Sequence, residues 1–141
     1  MNLNLNTPID NIMTREVITV NTKTKMSEVA QIFNSYNIHH IPVVDDEDRL
    51  RGILSQQDYC QLQDRFAKLK DEAPMDQDDR FLDAVLAEEV MSTEIVQLSE
   101  DSPLKDALEI FKQNKVHSIV VVKDEICKGI ITPLDILNEL K

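Results

Sequence analysis

The motif that decides the fold is GILSQQD at residues 52–58, which returns as GIITPLD at residues 129–135. Each copy joins a short apolar run to a hydroxyl residue, Ser55 or Thr132, with an aspartate three positions later. This spacing is an N-terminal capping pattern, so a helix should begin after each hydroxyl residue. The first turn of a helix also has backbone N–H groups without partners inside the helix, and these groups can bind an anion. The motif alone therefore leaves two interpretations open, a helix cap and an anion site.

The two motifs lie in an internal duplication. A shift of 78 positions pairs Met13 with Met91, His39 with His117, and the aliphatic run at 41–44 with the run at 119–122. After one deletion the shift becomes 77, and the two motifs fall into register. A repeated unit of about 60 residues buries little surface alone, so two packed copies are the more plausible folding unit.

The first helix of each repeat is predicted from amphipathic spacing. A capping hydroxyl residue, Thr24 or Ser102, precedes it, and Pro103 is expected at the first helical position of the second copy. Apolar residues then follow at positions i, i+3, i+4 and i+7, which predicts one buried face. These residues are Met26, Val29, Ala30 and Phe33 in the first repeat and Leu104, Ala107, Leu108 and Phe111 in the second.

The other elements follow from apolar runs and turn residues. Strands are predicted at 17–20, 41–44 and 50–54, with a charged turn at 45–49. A helix is predicted from about residue 57 to 70, and the matching helix of the second repeat from 134 to the C-terminus. The apolar stripe of the first of these two helices could cover the sheet or meet a partner helix, and the sheet is favoured. Its members are Tyr59, Leu62, Phe66 and Leu69.

A strand, helix and strand joined in this way favour a right-handed crossover and a small sheet with helices on one face. The predicted fold class is α/β (α+β), with two β-α-β-β-α units. Between the repeats, Ala73 and Pro74 should end the long helix. Residues 71–89 carry eight acidic side chains against one basic, and are predicted to form a solvated connecting helix rather than an acidic binding tail. Its apolar positions are Phe81, Leu82, Val85 and Leu86.

The composition excludes several classes of protein. A formal net charge of −11 on 141 residues argues against a nucleic-acid partner. No apolar run is long enough to span a bilayer, and the N-terminal residues do not resemble a signal peptide, so a cytoplasmic location is expected. Cys60 and Cys127 lack the spacing of a zinc site and are predicted to be packing residues. There is no catalytic motif and no glycine-rich phosphate loop, so the chain is not expected to be an enzyme.

The two matching histidines are candidate functional residues. His39 and His117 each lie two positions before an isoleucine of a predicted strand. Such strand ends are where ligands tend to bind in open α/β sheets. A histidine beside a strand is also commonly a structural residue, and both interpretations stay open. His40 has no histidine counterpart, because Ser118 occupies that place.

Taken in order, these features resemble the cystathionine β-synthase (CBS) domain. The matching features are Met-Thr/Ser, a capped helix, His-x-Ile-Pro-Val-Val and Gly followed by two apolar residues and Ser/Thr-x-x-Asp, from about residue 8 to 140. They occur twice, as in a tandem CBS pair or Bateman module. The resemblance implies CBS domains at 1–72, with a lead-in at 1–11, and at 90–141, joined by an acidic linker helix at 73–89. It also implies two pseudo-symmetric units packed as one pair, and a homodimer.

The resemblance further implies a regulatory module whose two clefts bind an adenosine compound such as AMP, ADP, ATP or S-adenosylmethionine, with no required cofactor and no metal. Asp58 and Asp135 would accept hydrogen bonds from ribose hydroxyls. Ser55 and Thr132 would face phosphate, approached by the three histidines. The adenine would be walled by Thr14, Val17, Ile18, Ile41, Ser92, Ile95, Val96 and Ile119, and Pro42 and Ser118 complete the predicted site.

Two departures from the family pattern make the sites unequal. Gln57 and Leu134 stand where many members have a basic residue before the aspartate, and Pro42 is matched by Val120. The first site, which is richer in polar residues, is the better candidate for a charged nucleotide. The missing cations favour an alternative function, a structural, dimerisation or partner-docking module with empty clefts. A divalent cation site is a weaker third alternative, since no spaced oxygen-ligand motif is present.

Overall fold

The computed structural model of the protein describes residues 3–69 and 79–140, with the side chains of 66–69 and 79–80 left undescribed. The chain forms two compact units. Unit 1 comprises Met1–Val17, Asp48–Leu50 and Glu94–Lys141, and unit 2 comprises Ile18–Glu47 and Arg51–Thr93. The N-terminal segment of the chain therefore belongs to the same unit as the second repeat.

In the described residues, the first repeat forms a three-stranded sheet and two helices, and two short helices follow it. Its strands are β1 (Val20–Asn21), β2 (His40–Val44) and β3 (Leu50–Ser55), in the order β1-β2-β3, with β1 parallel to β2. Helix α1 (Met26–Ser35) connects β1 to β2, and α2 (Gln56–Leu69) follows β3. Two short helices come next, α3 (Asp79–Leu82) and α4 (Ala87–Val90).

The second repeat has the same order of elements. Strands β4 (Gln97–Ser99), β5 (Ile119–Lys123) and β6 (Ile126–Ile131) form a second sheet, with β4 parallel and β6 antiparallel to β5. Helix α5 (Leu104–Lys112) joins β4 to β5, and α6 (Pro133–Leu137) follows β6. A short 3-10 helix, Ile9–Asn11, precedes the first repeat. The β-α-β-β-α pattern predicted for each repeat is confirmed.

Each unit has one hydrophobic core. In unit 2, the predicted inner face of α1 is buried with residues of β2 and β3, and the rings of Phe33 and Tyr59 stack at 6.0 Å. Tyr59 of α2 lies in this core and Leu62 packs against it, so these two residues of the predicted stripe face the core, whereas the side chains of Phe66 and Leu69 lie outside the described residues. In unit 1, Ile9 and Met13 of the N-terminal segment pack with residues of α5, β5, β6 and α6. The predicted inner residues of α5 all lie in or against this core.

The predicted caps of α1 and α5 are wrong. The residue before α1 is Lys25, and the hydroxyl of Thr24 accepts from the backbone N–H of Asn21 instead. Pro103 precedes α5 rather than occupying its first position, and no side chain caps that helix. The reason lies in distant backbone groups. The N–H of Met26 donates to the carbonyl of Val85 at 2.8 Å, and the N–H of Leu104 donates to that of Thr7 at 2.8 Å.

The acidic stretch is not a single solvated helix in the described residues 79–90. Helices α3 and α4 are separate, and Phe81 and Leu82 are buried in the core of unit 2. Burial of these two apolar side chains outweighs the solvation favoured by the surrounding charge. The break predicted at Ala73 and Pro74 lies outside the described residues.

Three further differences are local. Strand β1 begins at Val20 instead of residue 17, because only Val20 and Asn21 pair with β2. Helix α6 begins at Pro133 and ends at Leu137, short of the predicted end. Cys60 is exposed, so its prediction as a packing residue is wrong, whereas Cys127 is half-buried. Among the described residues, no helix has the length and apolar character needed to cross a membrane.

Both glycines allow close approach by a methionine segment. A Cβ on Gly52 would come within 3.0 Å of three side-chain atoms of Met91, and a Cβ on Gly129 would lie 2.6 Å from Sδ of Met13. Each Met-Thr/Ser segment thus lies beside the strand that leads into a motif. These contacts bring Thr14 to the motif of unit 1 and Ser92 to the motif of unit 2.

Candidate ligand-binding site

The motif of unit 2 forms a reciprocal cap at the start of α2. The backbone N–H of Ser55 donates to Oδ2 of Asp58 at 3.1 Å, and the N–H of Asp58 donates to Oγ of Ser55 at 3.0 Å. The cap interpretation of the motif is therefore confirmed for this copy. Among the described residues none donates to Oδ1 of Asp58, whose side chain is half-buried. The cap fixes the carboxylate and leaves one oxygen available to a ligand.

The motif of unit 1 makes the same cap at the start of α6. The N–H of Thr132 donates to Oδ2 of Asp135 at 2.8 Å, and the N–H of Asp135 lies 3.4 Å from Oγ1 of Thr132. Here the other carboxylate oxygen has a partner, because the hydroxyl of Thr14 donates to Oδ1 of Asp135 at 2.9 Å. Thr14 is held in place by two backbone hydrogen bonds with Ile130, at 2.9 and 3.0 Å. The contact joins residues 121 positions apart.

Ser92 occupies the position of Thr14 in unit 2. Its backbone exchanges two hydrogen bonds with Ile53, at 3.0 and 2.9 Å. Its side chain is exposed. The structure therefore brings a hydroxyl residue of each Met-Thr/Ser segment next to the strand that precedes a motif aspartate.

His39 lies directly before β2 and contacts Gln56, the first residue of α2. Its Nδ1 is 3.0 Å from Oε1 of Gln56, and its backbone carbonyl accepts from the N–H of Gln56 at 2.8 Å. His39 and His117 are both exposed, and His40 is half-buried. Sequence reasoning missed Gln56, although its place directly after the capping Ser55 is a signal that could have found it.

The remaining predicted residues fall in both units. Unit 2 contains Ile18, Ile41, Pro42 and Gln57, and unit 1 contains Val17, Ile95, Val96, Ser118, Ile119 and Leu134. Ile41 and Ile119 are fully buried in the two cores, whereas Leu134 is 63% exposed. Val17, Ile18, Ile95 and Val96 are half-buried.

A cavity of about 200 Å³ opens beside Asp58 in unit 2. It is lined by Asp58, Gln61, Leu62 and Arg65 of α2 and by Glu89 and Val90 of α4. Sequence reasoning missed Arg65, which stands seven residues after Asp58 on the same helix. In the described parts of the chain, no group of three or more His, Cys, Asp or Glu side chains could hold a metal ion.

Comparison with known proteins identifies the repeated unit. The sequence matches the family model of the CBS domain over residues 9–63 and 87–141. Inosine-5'-monophosphate dehydrogenase of Methanocaldococcus jannaschii is 32% identical over 133 residues, which cover 94% of this chain and 23% of that protein. The chain thus spans about a quarter of the length of this curated relative.

Two solved structures match over nearly the full length of both chains. The CBS domain pair of protein MJ0100, in complex with 5'-methylthioadenosine and S-adenosyl-L-methionine, is 24% identical with a TM-score of 0.71, and the match covers 95% of each chain. CBSX2 in complex with AMP is 19% identical with a TM-score of 0.76, over 94% of this chain and 95% of the other. These likenesses confirm the predicted fold.

Proposed function

We propose the following function for this chain, which belongs to the CBS domain family. The protein is a regulatory module that binds an adenosine-containing ligand at its motif sites, and it carries out no catalysis itself. It needs no cofactor, acts as a homodimer in the cytoplasm, and passes the state of its sites to a protein partner.

The observation that supports this proposal is the pair of fixed carboxylates. Asp58 and Asp135 are each held by a backbone N–H of the preceding hydroxyl residue, at 3.1 and 2.8 Å. The two ribose hydroxyls of an adenosine are donors, and a carboxylate held in one orientation accepts them without further ordering cost. Because the same arrangement occurs in both repeats, we assign a ribose to each.

The adenosine part of the ligand is what the solved complexes have in common. Protein MJ0100 is in complex with 5'-methylthioadenosine and S-adenosyl-L-methionine, and CBSX2 with AMP. For this chain we propose that aliphatic residues of the predicted adenine wall hold the base, while Ser55, Thr132 and the histidines surround the 5' substituent. Gln57 and Leu134 supply no positive charge there.

Ligand binding regulates only if it favours one packing of the module over another. The shift cannot exceed the difference in binding free energy between the two states, which is typically about 1–3 kcal/mol. A change of this size in the packing of the repeats, or of two protomers, is the proposed output.

Calorimetry of the intact chain with 5'-methylthioadenosine, AMP, ADP, ATP and S-adenosylmethionine tests the proposal. Asp58→Asn and Asp135→Asn keep the size of each side chain and remove its charge. We expect each substitution to lower the ligand affinity of its own motif site by about tenfold, the effect of losing a charge-assisted hydrogen bond. Asp64→Asn, on an exposed position of α2 outside the site, is the matched control and should bind normally. Absence of binding by all five compounds at millimolar concentration would overturn the proposal.

The second candidate function is a dimerisation or docking module with empty sites. It is favoured by one observation, the exposure of Leu134 and Leu137 on α6, at 63% and 58%. A thermal-shift panel of adenosine compounds separates the two functions, because a ligand that binds only the folded state must raise the melting temperature. If no compound raises it, and Leu137→Glu converts a dimer to a monomer in sedimentation, the docking function is the correct one.

A further inference from the structure

We infer that the adenosine ligand of unit 2 carries an α-amino-acid tail instead of a phosphate, and that Arg65 and Glu89 bind this tail. The inference rests on the proposed function and names the chemical class of its ligand. It assigns the cavity beside Asp58, whose charged lining the motif does not explain.

The cavity extends along α2 from the site of the ribose. Asp58, Gln61, Leu62 and Arg65 are spaced as i, i+3, i+4 and i+7, so they share one face of the helix. Seven residues of α-helix rise about 10 Å, which is comparable to the span of a ribose together with an extended amino-acid tail on its 5' carbon. The cavity therefore has the carboxylate of Asp58, the proposed acceptor of the ribose hydroxyls, at one end and the guanidinium of Arg65 at the other.

The charges in the cavity suit a zwitterion. Glu89 is fixed, because its Oε1 accepts from the backbone N–H of Leu86 at 3.0 Å, and its second oxygen is available to an ammonium group. No ion pair joins Arg65 to another of the described residues, and its planar guanidinium can hold a carboxylate through two parallel hydrogen bonds. Leu62 and Val90 offer apolar surface to the methylene groups between the two charges.

A phosphate fits this lining poorly. Among the described residues that line the cavity, two carboxylates, Asp58 and Glu89, stand against one cation, Arg65, so these residues together would repel a phosphate. The volume of about 200 Å³ is also below the range of roughly 300–1,000 Å³ for whole small-molecule pockets, and suits one part of a ligand. An ammonium and a carboxylate on one short tail pair with Glu89 and Arg65, while Asp58 pairs with the ribose, so the ligand uses all three charges of the described lining.

In the described part of unit 1, the motif helix is too short to form such a cavity wall. Helix α6 ends at Leu137, two residues after Asp135, so no helix face extends from this aspartate as α2 extends from Asp58. The amino-acid tail should therefore affect binding at one of the two motif sites only.

Calorimetry of the full chain with S-adenosylmethionine and 5'-methylthioadenosine tests the inference, because the second compound lacks the amino-acid tail. We expect wild type to bind S-adenosylmethionine more tightly than AMP. Arg65→Gln should lower the affinity for S-adenosylmethionine by about tenfold. Its affinity for 5'-methylthioadenosine should stay within about twofold of the wild-type value. Glu89→Gln preserves the acceptor that caps α4 and should also weaken S-adenosylmethionine selectively. Arg51→Gln, an exposed arginine of unit 2 outside the cavity, is the control.

Two results would overturn the inference while the proposed function stands. One is tighter binding of AMP than of S-adenosylmethionine, with Arg65→Gln weakening AMP, which would show that the cavity takes a phosphate. The other is an equal decrease in affinity for S-adenosylmethionine and 5'-methylthioadenosine in Arg65→Gln, which would show that the arginine acts on the adenosine part. If no adenosine compound binds wild type, the proposed function fails and the inference fails with it.

Discussion

Replacing Gly129 by alanine should destabilise the protein more than replacing Gly52 by alanine. Neither glycine has a positive φ, so both are required for space and not for conformational freedom. A Cβ on Gly129 would lie 2.6 Å from Sδ of Met13 and 2.7 Å from the backbone oxygen of Thr14. At Gly52 the three nearest atoms all belong to the side chain of Met91. A methionine side chain has three rotatable bonds and can move aside, whereas a hydrogen-bonded backbone cannot.

The expected losses follow from these contacts. Overpacking costs about 1–3 kcal/mol, and alanine returns about 0.4–1 kcal/mol by restricting the unfolded chain. Gly52→Ala should therefore cost about 0–2.6 kcal/mol. In Gly129→Ala the backbone of Thr14 would have to move away from the added methyl group. This movement would break the two backbone hydrogen bonds between Thr14 and Ile130, each with a net contribution of about 0.5–1.5 kcal/mol. The expected loss for Gly129→Ala is higher, at about 1–5.6 kcal/mol, because the two hydrogen bonds add about 1–3 kcal/mol to the packing penalty.

Urea unfolding followed by circular dichroism, at one fixed protein concentration, measures both losses. Shortening the methionine that faces each glycine shows whether its side chain or a neighbouring backbone atom obstructs the added methyl group. Met91→Ala should abolish most of the packing penalty of Gly52→Ala, whereas Met13→Ala should relieve Gly129→Ala only in part. Equal losses at the two glycines, or complete rescue of Gly129→Ala by Met13→Ala, would refute the argument that the Thr14 backbone is the fixed obstacle.

Three further predictions concern single side chains. Leu82→Ala should lower the free energy of unfolding by about 2–5 kcal/mol, because Leu82 is 1% exposed, and a loss below about 1 kcal/mol in urea unfolding would contradict its place in the core. Burial raises the pKa of the Cys127 thiol, so iodoacetamide should alkylate exposed Cys60 first, as mass spectrometry of digested peptides would show. A hydrogen bond from Lys23 to Glu88 raises the pKa of Lys23, so its stabilising effect is complete below the ordinary value of 10.5 and is lost as pH rises through the raised pKa. The melting temperature of Lys23→Gln should therefore be below that of wild type at pH 7 and approach it in strong alkali, and a constant difference would contradict the pair.

Local patterns in the sequence predicted the parts of the fold that depend on local interactions. The buried face of α1 followed from spacing alone, because residues at i, i+3, i+4 and i+7 share one side of any helix. The caps at Ser55 and Thr132 were predicted because donor and acceptor are three residues apart. The duplication then predicted that both would have the same geometry.

Distant contacts were outside the reach of these patterns. Thr24 and Ser102 have the residue type and position of a cap, yet carbonyls of Val85 and Thr7 accept the first N–H groups of α1 and α5. No spacing rule links residue 26 to residue 85. Arg65 was missed for a similar reason, since its relation to Glu89 depends on the packing of α2 beside α4.

The duplication also concealed a chemical difference between the two sites. Both aspartates use Oδ2 for the cap, so Oδ1 is the carboxylate oxygen that the cap leaves to the proposed ribose. In unit 1 the hydroxyl of Thr14 already donates to Oδ1 of Asp135, whereas no described residue donates to Oδ1 of Asp58. A ribose at Asp135 must share or displace an internal hydrogen bond of 2.9 Å, and that requirement subtracts from its binding free energy. Equal motifs thus do not imply equal affinities, because the residue that sets the difference lies 121 positions away from the aspartate.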